Sequence, residues 1–213
     1  MILSCHSIET ECGRLGHKLG WRFLTCPKGN IESASIALIA INPGGDKYLR
    51  PMWSVENGSA YVVERWKDRA ADGMERLQIQ VQRMFQTIPV APENVLSGYL
   101  VPFRSRDWKS LENKQASLEF GLELWREVFR QAEKIETVIA FGKQMTPHMS
   151  KLLHANAKSK TDFHAGWGDQ KIDLYECSRQ RRLIVVPHLS RYAIFGRQGN
   201  VAEKAFLEAL SYQ

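Results

Sequence analysis

The stretch that decides the fold is residues 35–41, SIALIAI, followed at once by residues 42–46, NPGGD. A short continuous apolar run bounded by turn residues is typical of a strand that is buried on both faces of a sheet. A second junction of this kind lies near the C-terminus, where residues 183–186, LIVV, run into residues 187–190, PHLS. Ligands of open α/β sheets bind outside the carboxyl ends of the strands, so the polar residues of both junctions are the first candidates for a functional site.

Outside these junctions, strand-like runs alternate with amphipathic helical stretches. Further strands are predicted at 21–25, 95–101, 137–141 and 172–175, the last paired with 182–186 as a hairpin or an edge pair. Helices are predicted at 7–19, 60–88, 114–132 and 144–155, and after Asn200, which caps a final helix. Residues 43–58 and 156–170 are predicted to be loops. The alternation predicts a single α/β domain over residues 1–213, a three-layer α/β/α sandwich around a central, mostly parallel sheet of four strands.

The composition is that of one globular domain. Of the 213 residues, 44% are hydrophobic and 24% are charged, which is enough to bury a core without disulfide bonds. No apolar run reaches the length of about 18 residues that a membrane helix needs, and the first residues lack the features of a signal peptide. The four cysteines show no CxxC spacing and the histidines no metal-ligand spacing. We therefore expect a cytoplasmic protein with reduced thiols, no membrane span, no metal and no cofactor.

The chain is basic, with a formal net charge of +6. Lysines and arginines that neutralise phosphates release counterions, so this charge favours a polyanionic partner. Five arginines lie near the second junction in the sequence: Arg179, Arg181, Arg182, Arg191 and Arg197. A basic face that is merely solvated explains the same charge, and both interpretations stay open.

Four segments, in this order, resemble the motifs of the uracil-DNA glycosylase superfamily. Residues 40–44, AINPG, resemble the first motif and are most similar to the mismatch-specific and single-strand-selective branches, whose loop reads Gly-x-Asn-Pro-Gly. Residues 187–190, PHLS, resemble the second motif, His-Pro-Ser, with a leucine in place of the proline. Residues 94–104 are similar to the strand that carries the base-reading residue, and residues 138–143 to a strand that ends in Gly-Lys. The resemblance spans roughly residues 35–195.

This resemblance implies a monofunctional DNA glycosylase, which flips a base out of DNA, cleaves its N-glycosidic bond and leaves an abasic site. It implies that Asn42 orients a water beneath C1′, and that His188 donates a hydrogen bond to the base O2 as negative charge develops there. A plainer role stays open for each residue. Asn42 can simply start a β-turn before Pro43, and His188 can be a buried histidine bonded to a carbonyl group.

The resemblance also implies which other residues contact the DNA. The implied substrate contacts are Ile41, Tyr48, Trp53, Gly98 and Tyr99, with Trp53 or Tyr48 as the aromatic platform for the base. The implied contacts to the rest of the DNA are Pro43, Gly44, Arg104, Lys143, Ser190, Arg191 and Tyr192, with Tyr192 or Arg191 as the wedge that fills the gap. Packing in the core is the alternative role for the aromatic residues.

One departure from the superfamily bears on the substrate. The uracil-excising branches read the base with an asparagine on the second strand, but the alignment places Tyr99 or Gly98 there, and the nearest asparagine is Asn94. This favours a modified pyrimidine over plain uracil, such as a hydroxymethylated or glucosylated cytosine in phage DNA, in repair or in antiviral defence. The alternative is a catalytically silent member of the fold that binds nucleic acid. In either case we expect DNA as the partner and a monomer.

Overall fold

The computed structural model describes residues 2–66, 73–197, 199 and 201–211. Its helices are α1 (Cys5–Arg14), α2 (Asn30–Ser33), α3 (Ala60–Val63), α4 (Arg76–Phe85), α5 (Lys114–Gln131), α6 (Thr146–Leu153) and α7 (Val201–Ser211). Its strands are β1 (Gly20–Arg22), β2 (Ile36–Ala40), β3 (Leu49–Met52), β4 (Leu96–Tyr99), β5 (Thr137–Phe141), β6 (Thr161–His164), β7 (Lys171–Glu176) and β8 (Arg182–Val186). Short 3-10 turns connect several of these elements.

Six of the strands form one mixed sheet in the order β4-β2-β5-β8-β7-β6, while β1 and β3 pair separately as a small parallel sheet. The strands β4, β2, β5 and β8 run parallel to one another, and β7 and β6 are antiparallel to their neighbours. Every residue of β2 and β5 is buried, because both strands are covered on two faces. The α/β class is confirmed, but the sheet has six strands and not four.

Helices cover both faces of the large sheet. Ile39 of β2 belongs to a buried cluster that includes residues of α1, α5 and α6. Its neighbour Leu38 belongs to a second cluster, with residues of α4 and α7. Successive side chains of a strand point to opposite faces, so β2 separates two cores. Because the four parallel strands run in one direction, the segments that follow them meet at one edge of the sheet.

The antiparallel end of the sheet accounts for the difference in strand count. Residues 156–170, which the sequence predicts to be a loop, contain β6. This is a short edge strand in which Asp162 and His164 are exposed, so it carries little hydrophobic signal. The predicted pairing of β7 with β8 is confirmed. The predicted helix at 60–88 contains two shorter helices, α3 and α4, and the predicted cap Asn200 lies outside the described residues.

Residues 20–25 close the outer edge of the sheet beside β4. The Tyr99 N–H donates to the Phe23 carbonyl at 2.9 Å. A Cβ added to Gly98 would lie 2.7 Å from that carbonyl oxygen and 3.1 Å from Cζ2 of Trp125. Close packing on the α5 face therefore requires a glycine here, whereas the Tyr99 side chain packs into the cluster on the opposite face.

The helices and thiols add two further facts. None of the helices that the structure describes is long and apolar enough to span a lipid bilayer. All four cysteines are free thiols. Burial raises the pKa of Cys26 to about 12 and that of Cys12 to about 11, so neither is a thiolate at neutral pH.

We expect Gly98→Ala to lower the free energy of unfolding by about 1 to 3 kcal/mol, because the added methyl group has no space beside the Phe23 carbonyl. The matched control is Gly13→Ala in α1, where a Cβ meets nothing within 4 Å and alanine favours the helix by about 0.5 to 1 kcal/mol. Urea unfolding followed by circular dichroism measures both variants. Unchanged or raised stability of Gly98→Ala would contradict this packing.

Candidate functional site

The parallel strands end in alignment at the carboxyl edge of the large sheet. Ile39 of β2, Ala140 of β5 and Val185 of β8 are paired side by side in one row. Asn42 and His188 each lie three residues beyond this row. Neighbouring strands are about 4.8 Å apart, so the backbones of β2 and β8, which are two strand spacings apart, are separated by about 10 Å.

The Asn42 amide is held by the segment that follows β4. Its Nδ2 donates to Ser105 Oγ at 2.9 Å and to the Phe103 carbonyl at 3.3 Å. It also lies 3.2 Å from the Pro43 carbonyl, within its own turn. The bonds to the later segment show that Asn42 does more than start a turn. Among the described residues no hydrogen bond is made to the Asn42 amide oxygen, so this oxygen is an acceptor at the edge of the sheet.

The His188 ring is oriented by Ser190. Its Nδ1 accepts from the Ser190 N–H at 3.3 Å and lies 2.7 Å from Ser190 Oγ. A nitrogen that accepts the backbone N–H carries no proton, so the proton of the neutral ring is on Nε2. Burial, and then the positive charge of Arg191, lower the pKa of His188. The ring is therefore neutral at pH 7 and offers an Nε2–H donor, with Ser190 and not a carbonyl group as its partner.

The turn after His188 carries the predicted wedge. The N–H groups of Arg191 and Tyr192 both donate to the His188 carbonyl, at 2.9 and 3.1 Å. Arg191 is exposed, and Tyr192 is partly buried with its ring centroid 6.1 Å from that of Trp167. The Arg197 guanidinium lies 4.3 Å from the centre of the Trp167 ring. Sequence reasoning missed Trp167, whose only local signal is a Gly-Trp-Gly sequence in a turn between strands.

The arginines near the second junction in sequence do not gather there in space. Arg179 and Arg181 precede β8 and Arg182 begins it, at the amino edge of the sheet, and only Arg191 and Arg197 follow the strand. The five arginines therefore do not form one basic cluster around the junction. Arg181 is also a structural residue, because it is 6% exposed and donates to the carbonyls of Phe129, Ala132 and Ile135.

Lys143 follows β5, the strand that lies between β2 and β8 in the sheet. Its Nζ donates to the buried Asp173 carboxylate of β7 at 2.5 Å. Burial lowers the pKa of Lys143, and the Asp173 pairing opposes that effect. The ammonium group is thus held by a partner within the protein. The predicted contact of this turn with DNA would therefore be made by backbone groups.

The segment after β4 contributes Tyr99 and Arg104. Tyr99 is 7% exposed, and burial raises the pKa of its phenol, which is therefore neutral. Arg104 is partly buried, and its guanidinium lies against Gly45, where a Cβ would come within 2.1 Å of Nη2. Gly98 is enclosed by the packing described above and presents no free surface. Of the two residues that the alignment places at the base-reading position, only Tyr99 carries a side chain, and that side chain packs in the core.

The remaining residues of the first loop differ in accessibility. The Ile41 side chain packs in the core, and its carbonyl accepts from the Val101 N–H at 2.9 Å. Trp53 packs on Phe23, with ring centroids 5.2 Å apart, whereas Tyr48 is 67% exposed. Pro43 is buried and Gly44 is exposed, and Gly44 forms a bridge with Ser105. Trp53 is therefore a packing contact of the core, and Tyr48 is the more accessible of the two rings that were candidates for the platform.

A buried ion pair that the sequence did not reveal lies beside Tyr99. Arg22 is 7% exposed and donates to both carboxylate oxygens of Glu64, at 2.8 and 3.0 Å. Glu64 also accepts from the Trp66 indole at 2.6 Å. The two partners are 42 positions apart in the chain, so no local pattern connects them.

Two cavities lie away from the carboxyl edge. One of about 930 Å³ opens at the amino edge, with Glu136, Arg179 and Arg182 in its lining. The other, of about 530 Å³, lies beside α5 and α6, with Arg126 and His154 in its lining. Neither contains a residue of the four motifs. In the part of the chain that the structure describes, no three His, Cys, Asp or Glu side chains are grouped so as to hold a metal ion.

The sequence matches no protein-family model and no curated protein at a significant level.

We expect His188 to titrate below its ordinary pKa of 6.5 and Ser190→Ala to raise that pKa, because the neutral ring loses the Ser190 hydroxyl. A histidine with a lowered folded-state pKa stabilises the fold above pH 6.5, and this stabilisation is lost as the pH falls through the folded-state value. NMR titration of the imidazole signals measures the pKa. His148, whose pKa burial also lowers, is the internal control and does not respond to the substitution. A lower or equal His188 pKa in Ser190→Ala contradicts this arrangement.

Proposed function

We propose that this protein is a monofunctional DNA glycosylase of the uracil-DNA glycosylase type, with the three-layer fold of that superfamily. It flips a pyrimidine out of DNA, hydrolyses the N-glycosidic bond and leaves an abasic site. One observation carries the proposal. An amide oxygen and an imidazole Nε2–H, neither of which has a hydrogen-bond partner among the described residues, follow two strands that end at the same edge of one sheet, with a single strand between them.

The two groups suit the two ends of the bond that breaks. The Asn42 oxygen accepts a hydrogen bond from a water and so aims the water oxygen at C1′. As the bond between C1′ and the base nitrogen breaks, the electron pair moves onto the base, and His188 donates to the base O2, where negative charge collects. The water oxygen bonds to C1′, and its proton reaches the departing base through solvent. No lysine attack is needed, and the ammonium of Lys143 is already paired with Asp173.

The base is a pyrimidine whose pocket differs from that of the uracil-excising branches. A neutral, buried Tyr99 at the base-reading position cannot form the amide pair that selects uracil. A hydroxymethylated or glucosylated cytosine, as in modified phage DNA, is the substrate class that we favour, with uracil as the alternative. Excision of such bases from invading DNA would be an antiviral activity.

The charge and the aromatic surface support DNA as the partner. The net charge of +6 attracts a polyanion. Beside His188, Arg191 is exposed, and Tyr192, Trp167 and Arg197 form a group of two rings and a cation. Rings and guanidinium planes stack on unpaired bases, so this surface suits a strand from which one base has been removed. The candidate site is formed within one chain, as a monomer requires.

A nucleic-acid-binding module without catalytic activity is the second candidate. The exposed Arg191 and the Trp167–Arg197 pair support DNA binding whether or not a bond is cleaved. The two candidates differ in what the edge residues do, since a binder has no turnover to lose.

We expect Asn42→Ala and His188→Ala each to lower the rate of base release by about 100-fold or more while DNA affinity stays within a few-fold. The DNAs are a panel with uracil, thymine mismatches, 5-hydroxymethylpyrimidines and glucosylated phage DNA. Release of free base and alkali-sensitive strand cleavage measure the reaction. The matched controls are Asn94→Ala and His6→Ala, which remove the same side chains from exposed positions.

Abasic sites that depend on Asn42 in any DNA of the panel would establish the glycosylase and identify its base. Tight binding without abasic sites in every DNA would reject it in favour of the binding module.

A further inference from the structure

We propose that Arg104 is the residue that recognises the base, by donating hydrogen bonds to an oxygen atom carried on C5 of the flipped pyrimidine. This inference rests on the proposed function, and it replaces a contact with backbone phosphate as the role of Arg104. It concerns a specificity-determining residue that takes the place of the missing asparagine.

Arg104 lies on the opposite side of Asn42 from His188. In the sheet order, β4 and the segment after it are on one side of β2, and β8 is two strands away on the other. Ser105, the next residue, is bonded to both Asn42 and Pro43. In a pyrimidine ring C2 and C5 are directly across from each other. A base whose O2 points to His188 therefore points its C5 substituent towards Arg104.

The guanidinium of Arg104 is held in a fixed place. Its backbone N–H donates to the Gly20 carbonyl at 3.0 Å, which anchors the residue to β1. Gly45 has a φ of +121°, and a Cβ there would lie 2.1 Å from Nη2 and 2.9 Å from Cζ of Arg104. The Nη2 end of the guanidinium thus lies against the Gly45 backbone, in the space that a side chain at this position would fill. Its donors are positioned by the same loop that positions Asn42.

The donors of Arg104 are not used up within the protein. The Arg104 Nε is buried and has no hydrogen-bond partner among the described residues. No carboxylate in the described ranges forms an ion pair with Arg104, and Asp46 acts on it only as a more distant charge. The neighbouring Arg22 is different, because Glu64 neutralises it. Arg181 is different too, because three carbonyl groups accept from it. Arg104 therefore has donors left for a ligand.

A guanidinium donates and never accepts, so its ligand must present oxygen lone pairs. A hydroxymethyl group, or the sugar oxygens of a glucosylated one, provides them. A methyl group of almost the same size does not, and it would leave the partly buried guanidinium without an acceptor. Arg104 therefore distinguishes 5-hydroxymethyl from 5-methyl bases.

The test compares DNAs that contain 5-hydroxymethylcytosine or 5-methylcytosine at one position, and in parallel 5-hydroxymethyluracil or thymine. Single-turnover base release is measured for wild type, Arg104→Met and Arg106→Met. Binding of the same DNAs is measured with Asn42→Ala and with Asn42→Ala combined with each substitution. Wild type should favour the hydroxymethyl base by about tenfold or more, and Arg104→Met should bring this ratio close to one. Arg106 is exposed, and its substitution should leave the ratio unchanged.

If Arg104→Met does not fold, Gly45→Ala is the second variant, because its methyl group displaces the guanidinium and should also lower the ratio. Base release with an unchanged ratio in these variants overturns the inference and leaves the glycosylase proposal intact. If Arg104→Met weakens the binding of all the DNAs by the same factor, Arg104 contacts a phosphate, and this result also overturns the inference. If no DNA releases a base, the glycosylase proposal fails. The ratio of the affinities for hydroxymethyl and methyl DNA is then the test. A fall of this ratio towards one in the Arg104→Met variant supports Arg104 as the residue that recognises the base.

Discussion

The hydrogen bonds between the loop after β2 and the segment after β4 are the constraint on which the candidate site depends. Asn42 Nδ2 donates to Ser105 Oγ, the Ser105 N–H donates to the Pro43 carbonyl, and Gly44 bridges Ser105. Strand pairing alone brings strand ends together, but it does not orient the loops that follow. Here a side-chain amide and two backbone groups join the loops. One consequence is that the amide nitrogen of Asn42 is bonded within the protein, whereas its oxygen has no hydrogen-bond partner among the described residues.

The arginines that are at least partly buried differ in whether the protein supplies acceptors for their donors. Arg22 and Arg181 are satisfied, the first by a carboxylate and the second by three carbonyl groups, and they stabilise the fold. Arg104 has a buried Nε without a partner, and burial lowers its pKa. A buried donor without a partner costs free energy in the unliganded protein. A ligand that supplies the missing acceptor recovers that free energy, which is how such a position contributes to selectivity.

The two principal residues of the candidate site, His188 and Asn42, are oriented by different parts of the chain. His188 is made a neutral donor by its own turn, through Ser190 two residues later. Asn42 is oriented by residues about sixty positions away, through Ser105. The histidine arrangement is therefore local and resists changes elsewhere, whereas the asparagine depends on the correct docking of the segment after β4. That docking relies in turn on the close approach at Gly98, which links stability to the site.

The sequence by itself determined the α/β class, the strands β2, β5 and β8, and the two junctions with Asn42 and His188. These features are local, because a buried parallel strand must be a continuous apolar run and its end must be polar. Tertiary structure alone decided the edge strand β6, since it has too few apolar residues to be recognised without β7. It alone separated Arg181 from Arg191, ten positions apart, by placing them at opposite ends of β8. The partner of Arg22, the unused donors of Arg104 and the contact of Trp167 with Arg197 are likewise pairings across the chain. Their energies depend on burial and distance, which no short stretch of sequence contains.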